Sequence, residues 1–291
     1  MVVAMEYDDR HRIFLQGIMN LGIVSGSTAR KLLQKACNIS GHTVPTDTGE
    51  INKTLRALTD GINREIRPLN LSIVKAIDEN KIKKETYFVL INQLDRSQEF
   101  TELTKRSMVE FAPHELELLK ILIGEMMKGP ELEEESDSDE ETESNDGPFT
   151  RGEIERTRAL NLGGKVKSKN LKPLEVEEIL DKFIEKNWLR SLENDVICFT
   201  PRFIAEMETY LRFVYTNDVL TCSLCNKLVI KALSCTCSKH FHLYCLGNAA
   251  PKGQNLGELT EISCPKCKHP IPLTHSLPTQ SQRRKRSNSD E

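Results

Sequence analysis

Residues 222–245 read CSLCNKLVIKALSCTCSKHFHLYC, and residues 264–267 add CPKC. Seven of the nine cysteines lie here, and one histidine completes the series Cys222-x2-Cys225-x9-Cys235-x-Cys237-x4-His242-x2-Cys245-x18-Cys264-x2-Cys267. Eight soft or borderline ligands in four close pairs suit two tetrahedral zinc ions, because a Cys-x2-Cys turn points two thiolates at one metal. Buried structural cysteines do not explain the pattern, since seven in 46 residues exceed what a core would use. Four protein ligands per ion leave no open position for water, so both zincs are expected to be structural rather than catalytic. Structural zinc contributes on the order of 10 kcal/mol to such small modules, so this region should be unfolded without metal. His240 lies two residues before His242 and competes for the same place; the spacing x4-His-x2-Cys favours His242 and leaves His240 on the surface.

The C4HC3 order resembles two known zinc modules, the PHD finger and the variant RING. Both interleave their sites rather than filling them in tandem. On that resemblance the first zinc takes Cys222, Cys225, His242 and Cys245, and the second takes Cys235, Cys237, Cys264 and Cys267. Thiolate charge would be offset by Lys227, Lys231, Lys239, Lys266 and Lys268. PHD fingers usually carry an aromatic residue two places before the seventh ligand, where this chain has Ile262. Cys264-Pro265-Lys266-Cys267 is similar to the fourth RING pair, which favours RING. Leu224 matches an apolar position with which many RING domains touch a ubiquitin-conjugating enzyme. Lys268 matches a basic position that contacts ubiquitin.

Outward from this stretch, charge divides the chain. Its 291 residues carry 40 Lys and Arg against 43 Asp and Glu. Ten of those acids lie in residues 131–146, ELEEESDSDEETESND, which contain no base; the remainder has a basic surplus of seven. A basic remainder permits nucleic-acid contact without establishing it. The acidic run repels itself and buries little apolar surface, so it reads as a disordered insertion over about 129–150. The alternatives for it are a contact for a basic partner or phosphorylation at Ser136 and Ser138, each with an acid three residues on. In the tail, Arg283, Arg284, Lys285 and Arg286 fit either a nuclear localisation signal or a solvated charged end.

No apolar run approaches the roughly 18 residues that cross a bilayer, so no membrane is expected. The opening MVVAMEYDDR turns acidic at once, which predicts no secretory leader. With an odd cysteine count, that argues against a disulfide framework. Cys37 and Cys198 read as small apolar residues of a helix and a strand. Gly163-Gly164-Lys165 hints at a phosphate loop, but Ala159 and Val166 stand where that motif needs Gly and Ser or Thr.

The rest of the chain is periodic. Phe14, Ile18, Leu21 and Leu15, Met19 follow helical spacing. Ser25 and Gly26 break it, and STARKLLQKACN restarts a helix with Ser27 as its cap. TGEINKTLRALTDGINREI predicts a third helix. LSIVKAI and YFVLINQL predict two strands around the polar DENKIKKE. Three helices and a hairpin form the winged-helix pattern, and it recurs. Helices are predicted over 113–128 and 171–187, where Pro173 suits the first turn and Val176, Ile179, Leu180, Phe183 and Ile184 make one stripe. WLRSLENDVICFT predicts a hairpin turning near Glu193-Asn194-Asp195. TPRFIAEMETYLRFVY predicts a closing helix capped by Thr200, with Phe203, Met207, Tyr210, Leu211 and Val214 on one face. The expected organisation is α+β: winged-helix domains at 1–100 and 101–215, a RING-type zinc finger at 216–275 and a basic tail at 276–291.

Two winged helices and a C4HC3 RING-like module together resemble the family of non-structural maintenance of chromosomes element 1, the RING subunits of the SMC 5/6 DNA-repair complex. The HRIFLQGIMNLGIV, LEVEEILDKFIEKNWLR and FTPRFIAEMETYLR helices and the zinc ligands carry the resemblance, which spans nearly the whole chain. It implies a MAGE-type winged-helix partner and a kleisin partner, nuclear and chromosomal location, and a role in homologous-recombination repair. It also implies partner-dependent ubiquitin ligase activity with two structural zinc ions and no catalytic residue of the chain's own. Such a ligase binds a charged conjugating enzyme and orients its thioester for attack. A structural scaffold and a DNA-binding winged-helix subunit are the alternative readings.

Overall fold

The computed structural model describes residues 6–81, 84–92, 111–128, 151–249 and 259–273. The acidic run 131–146 and the basic Arg283, Arg284, Lys285 and Arg286 lie outside the described residues.

The first unit opens with α1 (Asp9–Leu21), capped by Asp8, whose carboxylate accepts from the backbone N–H of Arg10. Gly22, at φ 70°, ends it in a conformation that favours glycine. A short strand, β1 (Ile23–Ser25), leads into α2 (Gly26–Ile39). Ser25, not Ser27, is the cap: its hydroxyl accepts from the N–H of Thr28 at 3.2 Å, because the helix starts at Gly26. Then come α3 (Thr48–Ile66), β2 (Leu71–Ile77) and β3 (Thr86–Asn92). The sheet is antiparallel with order β1-β3-β2. Phe14, Ile18, Leu33, Leu58, Ile62 and Phe88 fill its core.

The helix α1 buries a narrower stripe than its spacing predicts. His11, Phe14 and Ile18 are inside, whereas Met19 and Leu21 are 60% and 49% exposed. Met19 stands about 100° around the helix from Ile18, and Leu21 is the terminal residue beside Gly22. Buried His11, which apolar periodicity passes over, takes part of that face and bonds Asp8.

The second unit repeats the sheet topology. It contains α4 (Pro113–Met127), β4 (Glu153–Glu155), α5 (Arg156–Leu160), α6 (Pro173–Glu185), β5 (Leu189–Ser191), β6 (Val196–Phe199) and α7 (Pro201–Val214). Its order is β4-β6-β5, again antiparallel, and again a short strand runs straight into a helix. Thr200 caps α7 by accepting from Phe203 N–H at 3.1 Å while donating to Asn187 O at 2.6 Å. Phe199 stacks on Phe203 at 4.3 Å, with Trp188 edge-on. Phe203, Met207, Tyr210 and Leu211 are buried, but Val214, the last residue of α7, is exposed. Residues 161–165 form a single 3-10 turn rather than a phosphate loop. A Cβ on Gly163 would meet Leu171 O at 2.5 Å, and Lys165 is spent on Glu125 at 3.0 Å. Glicine at 163 is thus a packing requirement.

The third unit is small: β7 (Leu220–Thr221), β8 (Leu228–Val229), β9 (Leu233–Cys235), β10 (Lys239–Phe241), α8 (Leu243–Ala249), β11 (Glu261–Ser263) and β12 (Pro270–Pro272). Three two-stranded ladders enclose Val229, Phe241, Leu246, Ile262, Ile271 and Leu273. So small a core does not by itself offset the chain entropy of ordering the segment.

The turn after β2 ties the units together. Asp78 makes a two-point ion pair with Arg190 of β5, at 2.6 and 3.0 Å. Asn80 donates to Cys198 Sγ of β6 at 3.3 Å. Glu79 turns the other way, into the third unit. Among the described residues, no helix is long and apolar enough to cross a membrane.

Candidate metal centre

Each cysteine pair is built by the backbone before any metal is considered. In the first, Cys222 N–H donates to Lys227 O at 2.9 Å and Asn226 N–H to Cys222 O at 2.9 Å. In the last, Cys264 N–H donates to His269 O at 2.8 Å and Lys268 N–H to Cys264 O at 3.0 Å. The residue after three of the four pairs has a left-handed backbone: Asn226 at φ 57°, Lys268 at 66° and, after Cys235-x-Cys237, Ser238 at 56°. This turn brings both sulfurs to one side. The remaining pair, His242 and Cys245, is set by the start of α8, where Cys245 N–H donates to His242 O at 3.1 Å.

These turns assemble two clusters. Cys222, Cys225, His242 and Cys245 form one; Cys235, Cys237, Cys264 and Cys267 form the other; within each, one ligand atom per residue lies within 4.8 Å of the others. The pairs are interleaved along the chain. Cys235 and Cys267 sulfurs are 3.4 Å apart, Cys237 and Cys264 sulfurs 3.8 Å. His242 Nδ1 lies 3.4 Å from Cys225 Sγ and 3.7 Å from Cys245 Sγ. Disulfides would need about 2.05 Å. A tetrahedron of roughly 2.3 Å metal–sulfur bonds has edges of about 3.8 Å, so the donor sets and their spacing fit a four-coordinate metal ion.

The thiols cannot all ionise without a cation. Burial opposes ionisation of Cys222, but backbone hydrogen bonds at His242, Leu224 and Cys225 outweigh it and bring its pKa down to about 6. Backbone hydrogen bonding at Cys237 does the same for Cys235, also to about 6. Desolvation and the neighbouring thiols push Cys237 up to about 12 and raise Cys245 as well. A bound dication removes this conflict by favouring every thiolate at once.

His242 is oriented for the task. It is buried, and its Nε2–H donates to Leu228 O at 2.9 Å, leaving the Nδ1 lone pair toward the sulfurs. His240 faces elsewhere: its ring bonds Ser234 Oγ at 2.8 Å, and it belongs to neither cluster. Two of the lysines expected to offset thiolate charge are engaged elsewhere. Lys231 Nζ pairs with Glu153, and Lys227 Nζ donates to Lys75 O at 3.1 Å. Cys264 Sγ instead accepts from the backbone N–H of Lys266 at 3.4 Å. Leu224 is 40% exposed on the first cysteine turn, and Lys268 is exposed after the last.

A family model described as the Nse1 non-SMC component of the SMC5-6 complex matches residues 11–207. The chain belongs to the Nse1 family. The match ends ahead of Cys222, so membership rests on the two helix-and-sheet units and stands independently of the metal ligands. The chain is 28% identical over 281 residues to the non-structural maintenance of chromosomes element 1 homolog of Xenopus laevis, covering 96% of this chain and 88% of that one. It is 26% identical to the homolog of Homo sapiens, covering 93% and 86%. A chain of a solved Nse1-Nse3-Nse4 complex superposes with a TM-score of 0.67 at 26% identity, covering 92% of this chain and 98% of that one. Nse1-family membership makes this chain a component of a chromosome-maintenance complex.

One participant in the site escaped the sequence reading. Glu79 sits in the polar DENKIKKE stretch, and its contacts in the third unit are some 151 residues away. No local spacing signals such a partner.

Proposed function

We propose that this Nse1-family chain is a RING-type ubiquitin ligase subunit, working in the nucleus with a MAGE-type partner and a kleisin in chromosome repair by homologous recombination. The observation that carries the reading is the interleaved pair of four-donor clusters with Leu224 exposed on the first cysteine turn. Zinc in both clusters suits the donor sets, and four protein donors per ion make the metal structural. The working surface is then Leu224 for the conjugating enzyme and Lys268 for ubiquitin. Transfer would proceed by positioning the charged enzyme, with no covalent intermediate on this chain. The two helix-and-sheet units are read as winged helices at 1–100 and 101–215, and the finger as 216–275. The likeness to a chain of an Nse1-Nse3-Nse4 complex supports the two partners.

A scaffold reading has one observation in its favour: the turn after β2 in the first unit holds the second unit through Asp78 and Asn80 and the metal-bearing unit through Glu79. The same contacts count against DNA reading by that hairpin, since Asp78, Glu79 and Asn80 are engaged within the chain.

Ubiquitin discharge from a charged conjugating enzyme, measured with and without the MAGE-type partner, separates these readings. Discharge that the partner stimulates and Leu224→Asp abolishes supports the ligase. An unchanged rate in Leu224→Asp removes the proposed surface. No discharge across a broad enzyme panel, with both metals bound and the complex intact, leaves the scaffold.

A further inference from the structure

The first cluster has a neighbour from the opposite end of the chain. Glu79 follows β2 by two residues, and its side chain is only 7% exposed. Its Oε2 accepts from the backbone N–H groups of Ile230 and Lys231, at 3.0 and 2.9 Å. Its Oε1 lies 3.4 Å from His242 Nε2. Ile77, just before the turn, packs against the core of the metal-bearing unit. Lys75 O accepts from Lys227 Nζ at 3.1 Å.

These contacts bear on the ligand itself. His242 can present Nδ1 to a metal only while Nε2 keeps its proton, and that proton needs an acceptor. Leu228 O takes the hydrogen bond at 2.9 Å. Glu79 acts on the same proton in two ways. Its negative oxygen faces the Nε2–H, which makes Nδ1 a stronger donor toward metal. Its other oxygen fixes the backbone at 230 and 231, two and three residues beyond Leu228, and so fixes the acceptor.

We propose that Glu79 is a positioning residue for the first metal site, so that docking of the β2–β3 turn and metal binding by Cys222, Cys225, His242 and Cys245 strengthen each other. This inference rests on the metal-binding reading of the clusters. The second cluster, a four-cysteine set, has no Glu79 contact and is not part of the linkage. Linkage is reciprocal: what the turn adds to metal affinity, metal adds to docking of the turn.

The test uses the full chain loaded with cobalt, whose absorption distinguishes a three-cysteine, one-histidine site from a four-cysteine site, titrated with a competing chelator. Glu79→Gln keeps an oxygen for both backbone amides, at the Oε2 place, but turns an NH2 group toward the His242 N–H; Glu79→Ala removes the amide bonds and the His242 contact together. Both should weaken the histidine-containing site by roughly 10–100-fold and leave the four-cysteine site unchanged. Asp78→Asn, in the same turn but facing Arg190, should lower stability without separating the two sites. Hydrogen exchange on the unsubstituted chain gives a second readout: removing metal should speed exchange in residues 76–81. The inference is overturned if Glu79→Gln and Glu79→Ala release both metals at unaltered chelator concentrations, if Asp78→Asn gives the same site selectivity, or if exchange at 76–81 ignores metal. An unsubstituted chain that binds no metal at the histidine-containing site overturns the metal reading itself, which is a distinct result.

Discussion

Asp78 and Arg190, 112 residues apart in the chain, form a two-point ion pair in which the carboxylate is 1% exposed. Planar guanidinium matches carboxylate geometry, so the pair is both strong and directional. Removing one partner leaves a charge stranded at the junction. The side chain of Arg190 is 30% exposed, so water recovers part of the loss. Asp78→Asn is expected to destabilise the chain by about 2–4 kcal/mol, somewhat below or within the range for breaking buried pairs. A fall in the urea midpoint of the full chain checks this.

The same pair sets a pH dependence. Burial would raise the Asp78 carboxyl, but the Arg190 hydrogen bonds and charge outweigh it and hold it below its ordinary value of 3.8. A folded-state pKa below the unfolded one stabilises above the unfolded value, and the contribution is lost as pH falls through the folded value. The difference in urea midpoint between the unsubstituted chain and Asp78→Asn should therefore be full at pH 7 and shrink below about pH 4. A constant difference down to pH 2 would contradict the assignment.

Metal content should fall cluster by cluster. Cys264→Ser removes a donor from the second cluster alone, so elemental analysis should show the loss of one bound ion and retention of the other. Simultaneous loss of both would mean that the first cluster does not hold its ion unless the second is filled. A strong chelator should unfold residues 220–273 first, because the cluster cysteines Cys222, Cys235, Cys245 and Cys264 are themselves members of their core.

Lys268 carries two properties that one substitution can separate. Its φ of 66° costs a non-glycine residue about 1–2 kcal/mol, while its exposed amine is the proposed ubiquitin contact. Lys268→Gly should hold or raise the thermal midpoint and still lower ubiquitin discharge. Lys268→Ala should leave the thermal midpoint near its original value and lower discharge, since alanine keeps the strain and loses the charge. Equal discharge in Lys268→Gly and the unsubstituted chain would assign the position to backbone geometry alone.

What could be read from the residues divides along physical lines. Pro173, Thr200 and Pro201 announce their helix starts because capping is local, and the structure begins α6 and α7 there. The four ligand pairs were legible because cysteine and histidine spacing is set by the turns that carry them, while their interleaving into two clusters came only with the resemblance to RING and PHD modules. Helical periodicity failed at Met19, Leu21 and Val214, where burial depends on which neighbour a helix end meets. Ser25 and Ser27 both satisfy a capping pattern, and only the short strand β1 decides between them. Glu79 was illegible because its acceptor geometry is made by backbone amides, which any sequence possesses.

The Glu79 contact also has a history in time. Its two amide donors lie 151 and 152 residues further along the chain. At about 5–20 residues per second, a ribosome delivers Glu79 roughly 8 to 30 seconds before it delivers Ile230. The hairpin can be complete long before its receptor has been synthesised. The first and second units can already meet through Asp78 and Arg190, whereas the metal-bearing unit is joined in a separate, late event, after translation has passed Lys231; a nascent chain interrupted before that point holds Glu79 without its two amide donors.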